Sequence, residues 1–88
     1  MKPLPDIIGD NAAHPLNAAG GNAACIQIIV TGTGTVRLGD ATVTSSLGLP
    51  IPAGGGQFLP VMSSTKWYSL NGTWVYVPAG ATVSAAYV

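Results

Sequence analysis

Glycine and proline interrupt this chain so often that no segment of it reads as a convincing helix. Between the interruptions lie short runs of β-branched and aromatic residues, the pattern of strands joined by turns. The richest run, Cys25-Ile-Gln-Ile-Ile-Val-Thr31, ends at Gly32-Thr-Gly34. Thr35-Val-Arg-Leu38 follows, then Gly39-Asp40, then Ala41-Thr-Val-Thr-Ser45. This order predicts a hairpin over 35–45, with Gly39 supplying the positive φ of a tight turn. Residues 46–56 read as a loop carrying Pro50, Pro52 and three consecutive glycines. Gln57–Val61 reads as a short strand that Pro60 pushes toward a sheet edge.

Asn71-Gly72, the strongest short-range hairpin signal, lies between Lys66-Trp-Tyr-Ser-Leu70 and Thr73-Trp-Val-Tyr-Val77. A two-residue turn there sets Trp67 opposite Tyr76 and Ser69 opposite Trp74. Trp67, Trp74 and Tyr76 then share one face, with Tyr68, Val75 and Val77 on the other. Pro78-Ala-Gly80 introduces a last strand over 81–88. About five to seven short strands without a helix predict an all-β fold, a small β-sandwich or jelly-roll-like barrel.

Residues 1–24 differ from the rest. They hold Pro3, Pro5 and Pro15, Gly9, Gly20 and Gly21, and three Asn-Ala-Ala repeats. Pro15 falls in the middle of the one stretch whose alanine content suits a helix. The segment therefore reads as an extended N-terminal arm, with 25–88 as the β-domain. Leu4, Ile7 and Ile8 are its sizeable apolar anchors near the start, candidates for clasping a neighbouring subunit; a disordered tail is the other reading.

The surface is the second constraint. Three basic and three acidic residues are all the formal charge in 88 residues, and they sum to zero. An ordinary domain is about 25% charged, against 7% here. Neutral, apolar surfaces associate, so much of this one is expected to be covered by other protein. A chain this short buries only roughly 60–65% of its unfolded surface. With Cys25 alone, neither an intramolecular disulfide nor a cysteine zinc cage can compensate, which leaves oligomerisation. An unpaired cysteine fits a reducing cytoplasm. Asn22-Ala-Ala-Cys25 lacks the upstream apolar stretch of a lipoprotein cleavage site, and no run approaches the ~18 apolar residues of a membrane helix.

Chemistry has little to work with. The one histidine, His14, sits beside Pro15, and Asp40 reads as a turn cap or a rim partner of Arg37. Cys25 opens a β-branched strand, where an inert thiol is the ordinary state. No enzyme, cofactor or metal is expected. Gly32-Thr-Gly34 and Gly54-Gly-Gly56 lack the further residues of nucleotide-binding loops, and three scattered basic residues make no nucleic-acid patch. The aromatic group Trp67, Trp74 and Tyr76 reads as core or interface, with stacking on sugars as the alternative.

The stretch Thr35–Pro60, TVRLGDATVTSSLGLPIPAGGGQFLP, resembles small virion proteins of tailed bacteriophages. Their pattern is a strand with Val-Arg-x-Gly-Asp, a Val-Thr strand, a Gly-Leu-Pro loop, Ala-Gly and a Phe/Pro-bearing strand. Trp67-Tyr-Ser-Leu70, Val75-Tyr-Val77 and Gly80-x-x-Val83 also fit, so the likeness covers about residues 25–88. Arg37, Gly39 and Asp40 match the turn motif, and Gly48, Pro50, Ala53 and Gly54 the loop. Ser69 stands where the pattern often has an Asp, and it opens a second reading of 67–70 as a loop before a single strand. The resemblance implies a small β-sandwich serving as a capsid decoration or cement protein, frequently trimeric, whose partner is the major capsid protein. Its place would be the virion surface, after assembly in the bacterial cytoplasm. A tail, neck or fibre component and a sugar-binding module are the other classes this composition suits.

Overall fold

The computed structural model describes residues 1–63 and 65–88. These form eleven strands and, among the described residues, no helix. In chain order they are β1 (Lys2–Pro3), β2 (Ile7–Ile8), β3 (Ala12–Pro15), β4 (Asn22–Ala23), β5 (Ile26–Gly32) and β6 (Thr35–Gly39). Then come β7 (Leu49–Pro52), β8 (Gly56–Leu59), β9 (Tyr68–Ser69), β10 (Trp74–Val77) and β11 (Ala81–Tyr87). The first sheet runs β8-β5-β11, with β1 and β2 sharing the far side of β11; the second runs β3-β10-β6-β7. A two-stranded ribbon, β4-β9, completes the fold, and all pairings are antiparallel. The all-β class expected from the Gly/Pro punctuation is what forms.

Alternation along each strand explains why two sheets face each other. On β5 the side chains of Ile26, Ile28 and Val30 are fully buried while Gln27, Ile29 and Thr31 are exposed. Ala81 and Val83 of β11 join them from the same sheet. Val36 and Leu38 of β6, Ile51 of β7, and Val75 and Val77 of β10 meet them from the second sheet. Each fully buried Ile, Leu or Val contributes roughly 1.5–3 kcal/mol relative to exposure.

The chain crosses between the sheets at corners made by glycine. Gly32, the last residue of β5, and Gly34, just before β6, both have positive φ (90° and 94°), and Gly80 (94°) precedes β11. The two corners touch. Thr33 N–H donates to the Gly80 carbonyl at 3.0 Å, and a Cβ on Gly32 would lie 2.1 Å from that same oxygen.

Residues 1–24, expected as an extended arm, are extended but are built into the body. β1 and β2 line β11, β3 edges the second sheet against β10, and β4 pairs with β9. Leu4, Leu16 and Ala23 belong to the core. A Cα radius of gyration of 11.9 Å matches the ~12 Å of a compact chain this long. No arm projects.

Two hairpin expectations are corrected. β6 does pair with its sequence neighbour, but the partner is β7, with Val36 opposite Ile51 and Leu38 opposite Leu49, not residues 41–45. Gly39 has no positive φ. The chain instead turns at Asp40, whose carbonyl accepts the Val43 N–H at 3.1 Å, and Val43 tucks its side chain inward. Pro50 and Pro52 disguise β7 as loop. A proline nitrogen has no hydrogen to donate, so both fit only because β7 is an edge strand.

The second correction concerns Asn71-Gly72. Neither residue has positive φ, so the type I′ turn is absent. Residues 69–72 form a turn closed by Gly72 N–H to the Ser69 carbonyl at 3.2 Å. β9 then pairs with β4, and β10 with β3 and β6. Non-local partners hold both strands apart, and the reading of 67–70 as a plain loop is corrected too, since Tyr68–Ser69 is itself a strand paired with β4.

Candidate functional site

Cross-strand register defines the outer face of the first sheet. Phe58, Gln27, Ala86 and Pro3 form one row across β8, β5, β11 and β1. Gly56, Ile29 and Ser84 form the next, and Thr31, Thr82 and Ile8 a third. No residue of these rows is charged. Ile8, Ile29 and Phe58 are 68%, 46% and 51% exposed. A shallow groove of about 190 Å³ runs along Gln27, Ile29, Ser84, Ala85 and Ala86.

A second apolar region follows β8. Val61, Met62 and Trp67 are exposed in the segment that joins β8 to β9. The Tyr68 hydroxyl donates to the Pro60 carbonyl at 2.8 Å and pins the base of that loop, while Ser63 and Lys66 bridge across its tip. A third region is Leu47 and Leu49, exposed before and at the start of β7.

The outer face of the second sheet carries the aromatic pair. Trp74 lies between Pro15 and Gly39, and Tyr76 between Ala13 and Arg37. Both rings are half-buried, and the Trp74 indole N–H donates to the Asn71 carbonyl at 2.9 Å. The structure thus brings Trp74 and Tyr76 together but leaves Trp67 apart, because the 66–77 hairpin does not form. Of the anchors expected in the first residues, Leu4 is spent in the core, Ile7 packs against it, and Ile8 alone is free.

The turn-motif residues shape the loop at one edge. Arg37 donates from a terminal nitrogen to the Gly48 carbonyl at 3.1 Å, and its Nε is buried without a partner. Cβ atoms on Gly39 and Gly48 would approach Val43 Cγ1 to 2.7 and 3.2 Å, so these glycines keep room for Val43. Asp40 accepts from both the hydroxyl and the amide of Thr42, which hold its carboxyl below the usual carboxylate range. Pro50 faces Arg37 across the β6–β7 pair, and Gly54, at φ 86°, donates to the Val30 carbonyl.

Titratable groups are dispersed. His14 Nε2 and Asp10 Oδ1 are 2.8 Å apart on the surface. Cys25 is half-buried. Among the described residues no three His, Cys, Asp or Glu come together as a metal site would need. A cleft of about 400 Å³ between Met1, Lys2, Asn22, Tyr87 and Val88 contains no carboxylate side chain and no thiol. What the surface can do is make neutral, apolar contacts on several sides.

No protein-family model matches the chain, and no curated protein or solved structure matches it either.

Ile29 and Phe58 are exposed apolar residues of the first sheet's outer face that the sequence reading does not single out. The signal was present: in Ile26–Thr31 the alternation that buries Ile26, Ile28 and Val30 turns Ile29 outward.

Proposed function

We propose that this chain is a structural protein of a tailed-bacteriophage particle, a capsid decoration protein that bridges major capsid subunits on the outer head surface. The observation that carries this reading is that most of its exposed apolar side chains fall in three regions of the surface, one of which, the sheet face, has no charged residue. They are the outer face of the first sheet, the loop after β8, and Leu47 with Leu49 beside β7. A protein with one ligand needs one such region, whereas a lattice component meets several neighbours. Interface cores are depleted of Lys, Glu and Asp, as the outer face of the first sheet is. The resemblance of 25–88 to small virion proteins points the same way.

Mechanically, each contact is modest and repetition supplies the strength. A small oligomer that engages several capsid subunits gains avidity without any single strong contact. A tail, neck or fibre component would use the same surfaces, and location in the particle separates the two readings. Sugar binding keeps only Trp74 and Tyr76 of its three rings on one face.

The test is co-sedimentation of purified protein with purified heads from which the chain has been removed. Wild type should pellet with heads, and Trp67→Ser or Leu47→Asp should reduce its occupancy while leaving the fold intact. Pelleting with isolated tails and not with heads, or with neither, would contradict the proposal.

A further inference from the structure

We infer that the outer face of the first sheet is a self-complementary interface, and that its occupant is the same face of a second copy related by a two-fold axis. This goes beyond the capsid reading and stands without it.

Relief is the first argument. Ile29 and Phe58 rise from β5 and β8 as a ridge, while Ser84 and Ala86 of β11 leave the groove beside them. In a two-fold pair the ridge of each copy enters the groove of the other, since residue i meets j and j meets i. A partner of different shape would need only one of the two features.

Chemistry is the second. The polar side chains of this face are Gln27, Thr31, Thr82 and Ser84, each both a donor and an acceptor. Such groups can hydrogen-bond to their own copies across an axis. A Lys or an Asp placed there would repel itself, and none is present. The Gln27 side chain is exposed on this face, and amides pair with one another in both directions.

Area sets the strength. Four strand positions at about 4.8 Å and five residue positions at about 3.3 Å span roughly 300 Å². A standard interface covers about 800 Å² per partner, and smaller ones are weak or transient. The pair is therefore concentration-dependent, with dissociation on the order of micromolar or weaker.

Sedimentation equilibrium of the purified chain from roughly 1 to 500 µM tests this, with circular dichroism as the check on folding. The average mass should climb from one toward two chains. Ile29→Lys should hold it at one chain across the range, as should Phe58→Asp. Trp67→Ser, which lies off this face, should behave as wild type. A wild type that stays monomeric, a discrete trimer, or an Ile29→Lys variant that still pairs would each overturn the inference. Because no capsid is present, its failure is distinct from failure of the decoration reading.

Discussion

Ile29 and Ser84 sit directly opposite each other on β5 and β11, a large apolar side chain beside a small hydroxyl on a sheet face that has no charge. One residue earlier on the same strand, Ile28 is fully buried against the second sheet. The two isoleucines are adjacent in sequence and opposite in use: one holds the sandwich together and the other is offered outward.

Replacing them should separate those uses. Ile28→Ala removes a core side chain and should cost about 2–5 kcal/mol of unfolding free energy. Ile29→Thr should change the stability of the monomer by no more than about 0.5 kcal/mol. Urea denaturation of both variants at low concentration reads the difference. Equal losses would mean that Ile29 is buried in the free chain.

The corner contact between Gly32 and Gly80 yields a graded prediction. At Gly32 a methyl group meets both a left-handed backbone and the Gly80 oxygen at 2.1 Å. At Gly54, also with φ near 86°, nothing lies within 4 Å. Gly54→Ala should cost about 1–2 kcal/mol, the backbone penalty alone. Gly32→Ala should cost clearly more, and a midpoint of denaturation at or above that of Gly54→Ala would show that the corners are not in contact.

The first 24 residues should prove inseparable from the rest. Their removal strips Leu4, Leu16 and Ala23 from the core and bares the β3 edge of β10. The truncated chain should lose its cooperative thermal transition. A sharp transition retained in the truncated chain would restore the view of 1–24 as a detachable arm.

At acid pH, Asp40 gives a local readout. Thr42 donates to it from hydroxyl and amide, so its folded pKa lies below the ordinary value of about 3.9. The native state therefore favours the carboxylate. The stabilisation is present above that ordinary value and is lost as pH falls through the lower folded one. Thr42→Val removes the hydroxyl donor, and the Asp40 carboxyl resonance should titrate at higher pH than in wild type. An unchanged midpoint would assign the shift to another cause.

How much of this was legible in the sequence follows from how far apart the determinants lie. The β5 core strand, the edge position of β8 before Pro60, and the strand after Gly80 could be read from alternation and punctuation that act within a few residues. The partners of β10 could not. Asn71-Gly72 is a local signal, while β3 and β6 lie far back in the chain and take both sides of β10. Pro50 and Pro52 misled for a related reason, because prolines that suit an open edge look like a loop until the edge is known. The candidate contact face was half legible. Ile8 was noted as an anchor, but its alignment with Ile29 and Phe58 exists only once β2, β5, β8 and β11 are assembled.

The central claim is that the chain is a structural component repeated over a phage head. Quantitative mass spectrometry of purified particles measures this most directly, as the molar ratio of this chain to the major capsid subunit. The account predicts a ratio of the order of one, set by the head lattice. Absence from the particle, or only a few copies per particle as at a tail or neck, would contradict it.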